Sequence, residues 1–141
     1  MTSAALSLLG APRLFRAANA FDLDREIRRG FPAESLVRFK RDAGFSYEEI
    51  AALLDISART IERAIAHRAR LSRGASDRLY RVARVLALGE QVLEDRKRAL
   101  DWLRRPQHGL GGRVPIELLA TEAGSREIEF LLERIEHGFL A

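Results

Sequence analysis

Side chains able to do covalent or acid–base chemistry are scarce in this chain. It has no cysteine and three histidines. These are His67, His108 and His137, none at carboxylate–histidine metal spacing and none beside a nucleophile motif. The acidic pairs Glu48 with Glu49 and Asp22 with Asp24 fall at helix starts, where the helix dipole favours negative charge whatever the function. The glycines of "GLGGRVPIELLATEAG" (109–124) have no preceding strand, no GxGxxG order and one basic residue, so they do not make a phosphate cradle. No enzyme, catalytic residue, cofactor or metal is expected. What the sequence offers instead is arginine. Arg59, Thr60 and Arg63 share the solvent side of one short helical stretch headed by Ser57, an arrangement that suits base edges in a major groove. Arg68, Arg70 and Arg73 follow within ten residues and are spaced to reach phosphates.

The elements that must position these side chains are written in caps and staples. In "FSYEEI" Ser46 and Glu49 have capping-box spacing, and Phe45 and Ile50 occupy the two staple positions. Eleven residues later Ser57 caps "ARTIERAIAHR", with Ile56 and Ile61 repeating the staple. Two helices joined by a tight turn therefore span 46–67. Small Ala51 sits at their crossing, Leu54 and Ile56 lie beneath the turn, and Ile61 and Ile65 anchor the second helix. This pair resembles a helix-turn-helix of the Xre type. It departs from the common pattern at Asp55, where glycine usually closes the first helix; the site calls for positive φ, which Asp adopts with a small strain.

Elsewhere the spacings of three and four predict an all-α fold, with no alternating β-branched run. "FDLDREIRR" forms a short helix closed by Gly30, and another begins at Pro32 and runs to Gly44 with Leu36, Phe39 and Ala43 on one face. "RLSRGAS" reads as a turn. A long amphipathic helix is expected from Asp77 to about Asp95, with Leu79, Val82, Leu86 and Leu93 inward and a kink at Gly89. "RKRALDWL" stops before Pro106. A short helix starts at Pro115, "TEAG" connects, and a last helix runs from Ser125 to about His137 with Ile128, Leu131, Leu132 and Ile135 inward. Residues 1–20 are weakly patterned.

Of 141 residues, 47% are hydrophobic and 31% charged, enough for one buried core with solvated helix faces. No run of 18 apolar residues is present, so no membrane partner is expected. The opening "MTSAALSLLGAPRLFRAANA" is not expected to be a signal peptide, because Arg13 and Arg16 follow its apolar patch instead of preceding it. With no thiols, the expected compartment is the cytoplasm. The net charge of +4 is uneven. Residues 1–105 hold 21 Lys or Arg against 14 Asp or Glu, whereas 106–141 hold 3 against 6. Two surfaces with different partners are implied, the basic one for nucleic acid. For 109–124 two readings stay open: a structural elbow that folds the last helix back, or a protein-interaction surface built on that elbow.

The run "ALDWLRRPQHGLGGRVPIELLATEAGSREIEFLLERIEHGFLA" resembles the toxin-binding domain of the Xre/MbcA/ParS antitoxins of RES–Xre toxin–antitoxin systems. The matching positions are Trp102, Leu103, Pro106, Leu110, Gly111, Gly112, Arg113, Pro115, Leu118, Thr121, Glu122, Gly124, Leu132, Ile135, His137 and Gly138. The similarity covers residues 30–141 or so. It departs at Val114, where the family often has a capping Thr, and at "QHG" (107–109), which makes His108 a local loop variation.

The resemblance implies a protein partner, a RES-domain toxin that consumes NAD⁺, whose pocket the antitoxin C-terminus covers. The positions carried over as toxin-binding are Gly111, Gly112, Arg113, Pro115, Leu118, Glu122, Glu136, His137, Gly138 and Phe139. Arg113 either braces the elbow by bonding its carbonyls or pairs with a toxin carboxylate, the first being favoured. Operator DNA bound through Ser57, Arg59, Thr60, Arg63, Arg68, Arg70 and Arg73 would autoregulate the operon. The expected organisation is a helix-turn-helix part over 21–75 and a dimerisation and toxin-binding part over 76–141. A homodimer is expected because two half-sites bind better than one, with the apolar faces at 77–95 and 125–137 as its surface. The competing reading is a stand-alone dimeric helix-turn-helix regulator.

Overall fold

A computed structural model describes residues 20–138; the weakly patterned segment, apart from Ala20, and Phe139 lie outside the described residues. Helix α1 (Ala20–Arg29) buries no residue fully and leans Leu23 and Ile27 on the core. Gly30, at φ +89°, ends it. Helix α2 (Glu34–Ala43) starts two residues after Pro32 and buries Ser35, Leu36, Phe39 and Ala43. The Phe39 and Phe45 rings stack with centroids 5.5 Å apart, tying α2 to the entry of the next helix.

Helices α3 (Tyr47–Leu54) and α4 (Ala58–Ala66) are the expected pair. The capping box is complete: the Glu49 amide donates to Ser46 Oγ at 3.1 Å and the Ser46 amide to Glu49 Oε1 at 3.0 Å. Phe45 and Ile50 are both buried, as their staple positions require.

Helix α5 (Arg73–Leu93) begins four residues before the expected Asp77, because Ser72 caps it through the Ala75 amide at 3.1 Å. The "RLSRGAS" turn is therefore shorter than the sequence suggested, and Gly74 lies inside the helix. At the other end Glu94 takes a left-handed conformation, φ 63°, and stops the helix before Asp95. Asp95 instead caps α6 (Arg96–Leu103). Gly89 sits where α5 meets its neighbours; a side chain there would touch Ala99 Cβ at 3.4 Å and Leu132 Cδ1 at 4.0 Å. Its smallness serves close packing.

After α6 a 3₁₀ turn (His108–Leu110) leads to α7 (Pro115–Leu118) and α8 (Glu122–Glu136). Thr121 caps α8 through the Gly124 amide at 3.0 Å, so "TEAG" is the first turn of a helix and not a connection. Among the described residues there are no strands, only isolated antiparallel bridges at Pro32 with Arg70 and Gln107 with Arg113.

One hydrophobic cluster runs from Phe31 to Leu132, with α5 as its spine. Leu79, Val82 and Leu86 of α5 and Ile128, Leu131 and Leu132 of α8 are all buried within the single chain, where the two helices pack together. The apolar faces expected to make the dimer are consumed there, because an apolar helix face must be buried against another element and each of these two helices finds the other within its own chain. No helix of the described residues is long and apolar enough to cross a membrane.

Candidate functional site

The first candidate surface is α4. Ser57 Oγ accepts the Thr60 amide at 3.0 Å and shares a 2.8 Å hydrogen bond with Thr60 Oγ1, so the two hydroxyls fix each other at the head of the helix. Ile61 is the one fully buried residue of α4, with Ile65 half-buried behind it. The rest of the helix stands out from the fold, and Arg59, Thr60 and Arg63 are exposed. Asp55 carries the expected positive φ, 55°, and the chain re-enters through the Ile56 amide bonded to the Ala51 carbonyl at 3.1 Å. That turn sets the angle between α3 and α4.

Beyond α4, Arg68 is exposed in a left-handed conformation, φ 50°, and Arg73 is exposed as the first residue of α5. Several basic residues elsewhere are spent on carboxylates: Arg28 on Asp24, Arg41 on Asp42, Arg96 on Glu90 and Arg104 on Glu49. No ion pair within the described residues engages Arg59, Arg63, Arg68 or Arg73. Arg70 differs. It is exposed as a residue, yet its Nη1 donates to the Gly30 carbonyl at 2.8 Å, so its guanidinium already has an internal partner.

The second candidate surface is the elbow and α8. Gly111 (φ +66°) and Gly112 (φ +83°) turn the chain, and the Gly112 amide and Arg113 carbonyl both close onto the Gln107 backbone at 3.0 Å. Arg113 Nη1 donates to the Leu110 carbonyl at 3.1 Å. The bracing role expected of this arginine is the one its geometry displays. Val114 supplies no cap bond, as its side chain dictates, and Pro115 begins α7.

The carried-over positions separate by exposure. Gly111, Gly112 and Arg113 are exposed on the elbow, Leu118 is half-buried, and Glu136, His137 and Gly138 are exposed at the end of α8. Pro115 is buried, so it shapes α7 and offers no face to a partner. Glu122 is exposed but occupied: it pairs with Arg81 at 2.9 Å, Arg84 at 3.4 Å and Arg126 at 3.3 Å. Burial alone would raise the Glu122 carboxyl, but the charges and hydrogen bonds of Arg84 and Arg81 outweigh it and hold the group below its ordinary value. For Arg84 burial opposes the charge, and Glu129 and then Glu122 more than compensate. These carboxylates fasten α8 to α5.

One exposed residue escaped the sequence reading. Phe130 is 53% exposed on the outer side of α8, and with Glu127, Glu133, Arg134 and His137 it lines a shallow depression. Its signal is positional: an aromatic that falls off the inward stripe of Ile128, Leu131, Leu132 and Ile135. Among the described residues no cluster of His, Cys, Asp or Glu could hold a metal ion.

Fold and surfaces together define an all-α protein with a helix-turn-helix followed by a C-terminal helical domain. Residues 22–84 match the antitoxin Xre-like helix-turn-helix domain, and residues 88–138 match the antitoxin Xre/MbcA/ParS C-terminal toxin-binding domain. The chain is 32% identical to antitoxin Xre of Yersinia enterocolitica, over 79% of this chain and 76% of the relative. It is 29% identical to antitoxin Xre of Pseudomonas putida, over 94% of this chain and 80% of that protein. A chain in the crystal structure of the M. tuberculosis MbcT–MbcA toxin–antitoxin complex superposes with a TM-score of 0.59 at 25% identity, covering 77% of this chain and 96% of that one. The chain belongs to the Xre family of antitoxins.

Proposed function

We propose that the chain is the antitoxin of a type II pair, neutralising a RES-domain toxin that consumes NAD⁺ by covering its active-site pocket with the C-terminal region. The observation that carries the protein-binding half is Phe130, an aromatic left in solvent on a helix whose other side is spent on α5. Large exposed aromatics on an otherwise polar surface are typical anchors of protein interfaces. The acidic surroundings, Glu127 and Glu133, fit a partner whose pocket must attract a negatively charged cofactor. The relationship to the MbcT–MbcA complex supports the same assignment.

Operator binding by α4 makes the same protein the repressor of its own operon. Arg59 and Arg63 read base edges, Thr60 adds a hydroxyl, and Arg68 and Arg73 bind phosphates. The protein acts without a cofactor, in the cytoplasm, as a homodimer whose surface lies outside the α5–α8 packing.

The test is co-expression with the product of the neighbouring gene. Truncating α8 would open the core, so point variants are the better tools. Phe130→Glu should abolish complex formation and growth rescue while leaving DNA binding intact. Arg59→Ala with Arg63→Ala should do the reverse. If the neighbour is neither toxic nor bound, the antitoxin assignment fails for this chain and the stand-alone regulator stands.

A further inference from the structure

The segment joining α4 to α5 has no regular structure of its own, yet it is clasped to the segment after α1. The Ala33 amide donates to the Ala69 carbonyl at 2.9 Å and the Leu71 amide to the Phe31 carbonyl at 2.8 Å. Phe31 in turn donates its amide to Ser76 Oγ at 2.8 Å, inside the core. The approach is so close that any side chain at Gly30 would overlap the Leu71 carbonyl. Across this clasp Arg70 Nη1 reaches the Gly30 carbonyl at 2.8 Å.

Arg68 lies two residues before Arg70 and adopts φ 50°, a conformation that a long L side chain keeps only where its surroundings over-determine it. Its own amide bonds the Ile65 carbonyl at 3.2 Å, and the next amide, of Ala69, bonds Ala64 at 2.9 Å. The carbonyl of that same Ala69 is the one held by Ala33. The clasp therefore begins one residue after the left-handed arginine.

We propose that Arg70 is a positioning residue of the nucleic-acid interface and not one of its phosphate contacts. Its guanidinium locks the connection between α4 and α5 to the end of α1, which fixes the direction in which Arg68 and Arg73 leave the surface. The inference rests on the DNA-binding reading of α4. It reassigns an arginine that sequence spacing groups with its phosphate-binding neighbours. A lysine substitutes poorly, because its ammonium holds its hydration more strongly than the guanidinium that makes this part-buried bond.

The salt dependence of DNA binding separates the two roles. Each phosphate contact contributes about 0.9 to the slope of log affinity against log salt. The probe is the duplex immediately upstream of the protein's own coding sequence, bound by the full chain. With Arg70→Ala and with Arg70→Lys, affinity should fall about tenfold in both while the slope stays that of the original protein. Amide exchange at Ala33 and Leu71 should speed up in both variants, with Arg68→Ala as the control that lowers the slope by about 0.9. Retained affinity in Arg70→Lys together with a shallower slope in Arg70→Ala would make Arg70 a phosphate contact and overturn the proposal. So would unchanged exchange at both amides. If the original protein binds no duplex even at low salt, the DNA reading itself falls and the proposal with it.

Discussion

Arg84 Nη2 on α5 lies 2.6 Å from Glu129 Oε1 on α8, and Arg84 Nε reaches the same oxygen at 3.1 Å. The two side chains are 25% and 17% exposed, so the pair sits between a surface salt bridge and a buried one. It joins the spine of the fold to the helix that carries Phe130. Replacing Arg84 by Ala leaves the mostly buried Glu129 carboxylate without its partner, at a cost of about 1–3 kcal/mol. Urea unfolding of the variant should show a lower midpoint with an unchanged slope.

The acid dependence of this seam follows from Glu122. Its carboxyl is held below the ordinary value of 4.5 in the folded protein, so the stabilisation is present above that value and fades as pH falls through the acid range. The Arg84 guanidinium is raised above its ordinary value, so its contribution persists through neutral pH and is lost only in strong alkali. Glu122→Gln should flatten the fall of melting temperature between about pH 5 and 3 and cost about 0.5 kcal/mol at neutral pH, a small figure because the carboxylate is exposed.

Ser76 is buried completely, and its hydroxyl is the partner of the Phe31 amide. In Ser76→Ala that amide has no replacement acceptor within the core, and the loss should be about 1–3 kcal/mol. A threonine at the same place keeps the hydroxyl but adds a methyl to a close-packed interior. It should therefore recover only part of the loss, as read by thermal melting.

Asp55 is a non-glycine residue at φ 55°. Asp55→Gly removes the strain and should gain about 0.5–1 kcal/mol, whereas Asp55→Val should lose at least that much. Both changes are read as urea midpoints, and since the turn is retained in Asp55→Gly, its DNA affinity should not move.

Glycines at 112 and 124 look alike in the sequence but answer to different constraints. Gly112 has nothing within 4 Å of a would-be side chain and needs only its φ of +83°, so Gly112→Asn should cost less than about 1 kcal/mol. Gly124 is helical, and a side chain there would overlap the Leu118 carbonyl. Gly124→Ala should destabilise by about 1–3 kcal/mol, although alanine is the better helix former by about 1 kcal/mol. A stabilised Gly124→Ala variant would contradict this packing.

What the sequence determined by itself was local. The capping box at Ser46 and Glu49, the cap at Ser57, the positive φ at Asp55 and the elbow at Gly111 and Gly112 are each set by groups within four or five residues, and all stand as their spacing predicts. Boundaries were less legible where a weak cap outweighed a breaker: Ser72 starts α5 despite Gly74, and Thr121 starts α8 inside "TEAG". Tertiary structure alone decided which apolar faces and which charges remain available. The faces of α5 and α8 are equally apolar whether they meet each other or a second chain, and chain connectivity settles that they meet each other. Arg70 and Glu122 read as surface charges, but a carbonyl 40 residues away and arginines 38 and 41 residues away claim them. Such pairings cannot be seen in spacing, because they depend on where distant segments come to rest once the core has formed.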